Sequence, residues 1–514
     1  MQKKMEQAAE EKRGEAGAAA PPFSFRKLFS DLAVYSSGTL LIKGMSIISA
    51  PIFTRLFDPD QYGAWSFVNV AVAFLTGILM LGGDNAYTRY FFRCRTEEDK
   101  QSLTTTWFVF LAAWSVVVIA AALPFSRTLA VWVLGDDRYR AAMVIGFLSA
   151  PPAMINLILS QVLRNRFQAR SFAALNVITA ALTLSLAVIF VLVFELGVAG
   201  ALLGAASAAV LMIPVRLWLV RDLLRFRFSV PFLKQLLLFG LPLVPMNIAF
   251  WLLSNADRIM LARLASLEAV GLYSIAASMA AVLMLLQNAV GQSWLPHAIR
   301  VYEEENTIAT AIVSRTMVYF LAGSAVIVTG FAALAQEVLF ILVPPVYYGA
   351  FAAIPFLAVG FHFFTTAHVS VVGVMVKDKT VYIMIACWLV AAINIGLNAL
   401  FIPRFGIAGA AAATGSSYIL FAAGYALASR KLWPVQYPGR TVTALLAVPP
   451  ISVGLIALIA SYGPGLLVNF LLKMAVLAAV LATVLLIISR SEGIGLREAW
   501  NMIKERSQKR DPGY

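Results

Sequence analysis

Charge is scarce in this chain. Only 13% of its 514 residues are Asp, Glu, Lys or Arg, against 61% hydrophobic, and the mean hydropathy is +0.82. A soluble domain carries roughly a quarter charged residues to cover its surface, so most of this surface faces something other than water. Cysteine is sparser still. Cys94 and Cys387 alone build neither a disulfide framework nor a cysteine-rich metal site. There are 3 histidines and no His-Glu-x-x-His motif, and no Gly-x-x-x-x-Gly-Lys-Ser/Thr loop to cradle ATP phosphates. No cofactor or metal is expected, and any energy must come from an ion gradient, the membrane potential or the cargo's own gradient. Long polar connections are also missing, which leaves no space for a soluble catalytic domain.

What the chain has in plenty is apolar runs, such as Leu103 to Leu123 and Leu466 to Ser489. Each can cross a hydrocarbon core that needs about twenty helical residues. The runs are continuous and do not alternate, which favours helices over a barrel. The expected fold is an all-α integral membrane protein of about 14 transmembrane helices.

The formal charge of +14 invites a nucleic-acid reading, but the cations sit in short connections, where they orient a membrane protein. Alternating sides from a cytoplasmic N-terminus puts 30 of the 40 Lys and Arg on the cytoplasmic side, 7 opposite, and 3 (Lys43, Arg315, Lys473) inside spans. That bias predicts an even number of spans and two cytoplasmic termini in a plasma (inner) membrane, with no nucleic-acid partner. Residues 1–31 read as a cytoplasmic tail and an interfacial segment, with Phe23, Phe25, Leu28 and Phe29 around Arg26 and Lys27. They lack the apolar core of a secretory signal.

The chain repeats itself. Thr54-Arg55-Leu56 through Tyr62-Gly63-Ala64-Trp65-Ser66 matches Ala262-Arg263-Leu264 through Val270-Gly271-Leu272-Tyr273-Ser274 at a shift of 208 residues, and Gly197 to Ala201 matches Gly406 to Ala410 at 209. We therefore expect two parallel six-helix lobes, 32–219 and 233–428, joined by a cytoplasmic linker at 220–232. Two further helices follow at 441–489, then a cytoplasmic tail at 490–514.

At these residues the sequence resembles a known family. Arg55-Leu56 with Tyr62-Gly63, Gly240-Leu-Pro-Leu-Val-Pro245, Asp257-Arg258-Ile-Met-Leu261, Val270 to Ser274, Asn394-Ile-Gly-Leu-Asn398, Pro403 and Gly406 to Ala410 look like the polysaccharide-export flippases. That family holds the O-antigen and capsule repeat-unit translocases of the multidrug/oligosaccharidyl-lipid/polysaccharide exporter superfamily. The resemblance implies carriage of a polyprenyl-pyrophosphate-linked oligosaccharide from the cytoplasmic to the outer leaflet, as in lipopolysaccharide assembly. It leaves room for other polysaccharide-assembly proteins as partners.

An oligosaccharide diphosphate needs a polar, cationic passage. Lys43 in the first span is the leading contact, because a lone intramembrane charge costs on the order of 3 kcal/mol and usually faces a cavity; snorkelling is the bland alternative. Asn247, Asn255, Asp257 and Arg258 cluster on the seventh span. Neighbouring positions on a helix diverge, so Asp257 and Arg258 are expected to point different ways. Gln287 and Asn288 are candidate sugar contacts, or else interhelical hydrogen bonds. Arg55 and Arg263 either hold pyrophosphate at the outer face or cap helix C-termini, the second being favoured. Asp84, Arg89, Arg300 and Arg315 frame a cytoplasmic gate, unless they are ordinary loop-side polarity. His362, His368 and Asp257 are the groups for proton coupling, against a plain interhelical histidine role.

Three other functions stay open. A lipid II flippase or a cation-coupled drug exporter shares the superfamily, although the exporter would want acids in its passage where this chain offers Lys43, Arg258 and Arg315. A membrane glycosyltransferase or polymerase would carry a large outward loop. Here Pro124 to Arg140, read as a loop, is among the longest, with Asp136 and Asp137 its only acids.

Overall fold

A computed structural model describes residues 49–225, 227–304, 306–377, 379, 381–462 and 465–492. It is all α. The helices are α1 (Pro59–Met80), α2 (Gly83–Phe91), α3 (Glu97–Ala122), α4 (Phe125–Leu134), α5 (Arg140–Asn165), α6 (Ala169–Leu192), α7 (Gly197–Val220) and α8 (Val230–Gly240). They continue as α9 (Val244–Leu264), α10 (Leu267–Glu304), α11 (Asn306–Leu342), α12 (Ile354–Ser370), α13 (Val372–Met375), α14 (Val381–Leu432), α15 (Gly439–Tyr462) and α16 (Leu466–Glu492). Among the described residues 12 helical segments are long and apolar enough to cross a membrane. The chain is a multi-pass membrane protein. One 52-residue segment, α14, is broken at Gly406, whose φ of 55° and ψ of −130° lie outside the helical region. Most of the first expected span, with Lys43, lies outside the described residues, as does the N-terminal tail.

Local chemistry sets the helix ends. Asp58 caps α1 by accepting from Gln61 N at 2.7 Å, with Pro59 in the first turn, where its missing N–H costs nothing. Thr96 caps α3 by accepting from Asp99 N at 3.1 Å, and three acids fill its first turn. Gly240-Leu-Pro-Leu-Val-Pro245 ends α8 and restarts the chain as α9 through a 3₁₀ turn at Leu241–Leu243. The segment expected as an outer loop differs from the prediction: residues 125–134 form α4, with Phe125, Val131 and Trp132 about half or more exposed. Ten residues are too few to span, so no long apolar run betrayed it.

The surface is apolar as well as the core. Val116, Val193 and Ile341 are each at least 70% exposed, as expected where acyl chains replace water. Inside, one apolar core is built by α1 to α8. A second joins α9, α10, α11, α12 and α14 to Phe53, Phe57 and Tyr62. A third gathers Trp294, Ala309, Val318, Trp433 and Val484 around the start of α11 and the end of α16.

Candidate functional site

The segments that match in sequence meet in space. α1 crosses α10 so closely that a Cβ on Gly63 would lie 2.0 Å from Leu267 O, and one on Gly271 would lie 2.1 Å from Pro59 O. Only glycine allows that approach. One turn along, Ser66 and Ser274 share a hydrogen bond of 2.7 Å, each the other's counterpart at the 208-residue shift.

Three more bonds flank this seam, and all come from the matched arginines. Arg55 Nη1 donates to Pro51 O at 2.8 Å and to Leu342 O, the C-terminus of α11, at 3.1 Å. Arg263 donates to the carbonyl of Trp132 on α4, and its guanidinium lies 4.2 Å from the centre of that indole ring. Leu134 and Leu342 are themselves 208 residues apart. Tyr347 adds a bond to Phe57 O at 2.9 Å and packs edge-on to Tyr62. Both arginines thus satisfy helix-end carbonyls.

Behind the seam sits Asp257, buried at 3% exposure. Tyr273 donates its hydroxyl hydrogen to Asp257, Thr414 lies 3.4 Å from the same oxygen, and the Arg258 N–H donates to the other at 2.8 Å. Arg258 does not diverge as neighbouring positions on a helix were expected to. Its long side chain folds back to lie 3.7 Å from Asp257 and over the Tyr273 ring at 5.6 Å. Asn394, Asn398 and Ser417 continue a buried polar chain nearby on α14: Asn394 donates to Ser417 at 3.1 Å, and Asn398 to Asn394 Oδ1 at 3.0 Å. Asn394 and Asn398 were read only as family motif, and Ser417 was not singled out. Their burial at 0% shows that they face inward.

The other expected residues scatter. Asn255 bonds back to Trp251 O at 3.0 Å, while Asn247 is exposed on α9. Gln287 and Asn288 lie on α10, their side chains outside the described residues. Arg89 stacks on Phe239 at 4.6 Å beside Asp84 on α2, whereas Arg300 lies on α10 and Arg315 on α11. His362 pairs through Nδ1 with Ser324 Oγ at 2.9 Å and shares no polar partner with Asp257 among the described residues. His368 meets Phe364 O at 3.1 Å.

One buried charge and one half-buried charge escaped the sequence reading. Arg216, within the expected N-terminal lobe but singled out for no role, is 1% exposed. It donates to Ser160, to Asn176 Oδ1 at 3.0 Å and to Thr179 at 2.8 Å, so its partners are neutral. Glu337 pairs at 2.8 Å with Lys473, which is fully buried and also meets Gln336 at 2.5 Å. That pair fastens α16 to α11. A charge in a span was the available signal, and Glu337 missed it by standing just past the expected end of its run.

No protein of curated function matches the sequence. Among solved structures, the fold is similar to the lipid II flippase MurJ in an inward closed conformation, at 14% identity over 89% of this chain and 99% of that one, with a TM-score of 0.69. It is also similar to an inward-facing multidrug resistance MATE transporter of the MOP superfamily, at 16% identity over 78% and 95% with a TM-score of 0.59. A Vibrio cholerae MATE transporter, VcmN, matches at 16% over 79% and 96% with a TM-score of 0.58. Residues 28–301, more than half of the 514, match the family profile described as polysaccharide biosynthesis protein. With a transporter fold around it and that match along it, the chain belongs to the polysaccharide biosynthesis protein family.

Proposed function

We propose that this protein flips a polyprenyl-pyrophosphate-linked oligosaccharide from the cytoplasmic to the outer leaflet of the plasma (inner) membrane by alternating access, for surface polysaccharide assembly. The observation that carries the reading is the Ser66–Ser274 seam at 2.7 Å. Matched segments close on each other there, as a gate between two equivalent lobes should. Arg93, Arg95, Lys100, Arg166 and Arg227 stand at helix ends of the N-terminal half that do not join the seam, two of them held in Arg166–Asp222 and Arg227–Glu98 pairs; the positive-inside rule supports taking that end as cytoplasmic and the seam as the outer gate. Lobes 32–219 and 233–428 then rock about it. Family membership supplies the cargo class, and the polyprenyl tail stays in lipid while the glycan crosses.

Lys43 and Arg258 are the cations offered to the pyrophosphate. Asp257 is the coupling group: a cation or proton neutralising it removes the partner that holds Arg258 at 3.7 Å and turns the guanidinium toward an anionic load. Arg55 and Arg263 act on the gate and not on the cargo. The second reading takes lipid II as cargo, favoured by the MurJ-like fold spanning 99% of that chain. Both carry a pyrophosphate, so one assay separates them. Proteoliposomes holding only this protein should move the headgroup of a defined glycan lipid and leave lipid II behind. Movement of lipid II alone favours the second reading; movement of neither overturns both.

A further inference from the structure

The face of α1 that forms the seam continues past it. Gly63, Ser66, Val70, Phe74 and Gly77 recur at steps of three and four, so they share one side of the helix. Eight residues beyond Ser66, about 12 Å along the helix, Phe74 meets Trp251 of α9, their ring centres 4.5 Å apart and their planes tilted by 44°. One turn further the two sides have parted. Gly77 is exposed, and among the described residues a Cβ built on it would touch nothing within 4 Å. α9 runs the other way, its Arg258 lying over the Tyr273 ring beside the seam. Asn247, one turn from Trp251 on the side away from the seam, is exposed as well. The aromatic pair therefore closes the seam from beneath and roofs the space that opens at Gly77 and Asn247. Trp251 carries a further mark: its Nε1–H is buried and meets no acceptor among the described residues. A buried donor without a partner is costly, and a buried tryptophan usually finds one.

We propose that Trp251, backed by Phe74, is a seat for a sugar ring of the cargo, with a sugar hydroxyl oxygen accepting from the Trp251 Nε1–H. The inference rests on the flippase reading above and names the part of the cargo that this wall holds. The three parts of a lipid-linked glycan ask for different surroundings. The diphosphate asks for cations, and the polyprenyl chain for hydrocarbon without polar atoms. A pyranose ring is a disc with C–H groups on its faces and hydroxyls at its edge. It suits an aromatic face, which is electron-rich, with a polar handle at the rim. The polar neighbours on this side of α9 are neutral amides. Asn247 lies one turn below Trp251, and Asn255 one turn above, where its Nδ2 donates to Trp251 O at 3.0 Å and its Oδ1 is left to accept. A large organic cation would also take an aromatic face. The acid of α9, however, is turned elsewhere: Asp257 is buried among Tyr273, Thr414 and the Arg258 N–H and does not join this face.

The test is native mass spectrometry of the full chain in mild detergent, titrated with undecaprenyl diphosphate carrying one N-acetylglucosamine and separately with bare undecaprenyl diphosphate. The unaltered protein should favour the sugar-bearing lipid about tenfold, and Trp251→Ala should bind the two alike. Trp251→Phe, which keeps a ring and drops the N–H, should retain about a threefold preference. Should Trp251→Ala fail to fold, Trp251→Leu and Phe74→Leu carry the same test. An undiminished preference in Trp251→Ala overturns the proposal. So does a loss that falls equally on both lipids, because it makes the ring a structural element. Preference for tetraphenylphosphonium over the sugar-bearing lipid, lost in Trp251→Ala, names a cation seat and also overturns it. An unaltered protein that holds both diphosphate lipids alike sinks the sugar seat and leaves the flippase reading standing; one that holds neither sinks both.

Discussion

If the α1–α10 seam is a gate, tying it shut must stop transport. The perturbation is Ser66→Cys with Ser274→Cys. Two carbon–oxygen bonds of about 1.4 Å added to the 2.7 Å oxygen separation limit the Cβ–Cβ distance to about 5.5 Å, and a disulfide asks for about 3.5–4.5 Å, so a shift of about 1 Å closes the bond. Without it the seam is held only by contacts that can break. The serine pair contributes about 1 kcal/mol and each exposed arginine–carbonyl bond about 1.5 kcal/mol, roughly 4 kcal/mol together, which a cargo or coupling ion can outweigh. A covalent bond cannot be outweighed. The native thiols interfere little: Cys387 is buried, and burial pushes the half-buried Cys94 thiol up to about 11. With both replaced, oxidation should lower headgroup translocation in proteoliposomes to the uncrosslinked fraction measured by mass spectrometry, and reduction should restore it. Full translocation by quantitatively crosslinked protein would refute the gate.

Arg263→Ala removes the bond to Trp132 and should shift the population toward an open seam by roughly 5- to 30-fold, for about 1–2 kcal/mol lost; spin-label distances between α4 and α9 would show it. Lys473→Met leaves the half-buried Glu337 without its cation and should destabilise the protein by about 1–3 kcal/mol, while adding Glu337→Leu should recover most of that loss in a thermal melt in detergent. Arg216→Met takes the donor from Asn176 Oδ1, while Ser160 and Thr179 keep their bonds to backbone carbonyls, and should lower the melting temperature more than Arg216→Lys does, for a loss of about 1–3 kcal/mol of stability. Asp257→Asn should abolish any dependence of translocation on an ion gradient; a dependence as steep as in the unaltered protein would remove Asp257 from coupling.

Much of this was legible in the residues, for physical reasons. Apolar runs report spans because every backbone group in lipid must bond within its own helix. The 208-residue match stood out because a backbone crossing tolerates only glycine at Gly63 and Gly271, so the alphabet there is narrow. Gly406 marked the break in α14 for a similar reason, its φ being positive. Side-chain partners were not legible. Nothing along the chain says that Arg55 reaches Leu342 or that Lys473 finds Glu337, 136 residues away. Adjacency misled at Arg258, where a flexible stem overrode helical geometry. α4 was missed because ten residues are too short for the apolar run that marks a span.

The fit of Gly63 against Leu267 and of Gly271 against Pro59 constrains how the molecule can move. Backbones touching at that range have no clearance to slide, since any sideways step drives carbonyl oxygen into Cα. They can pivot like crossed sticks, or separate outright. Motion between the two sides of the crossing is therefore rotation or clean parting and not sliding, and a bulky residue at either glycine would hold the crossing apart.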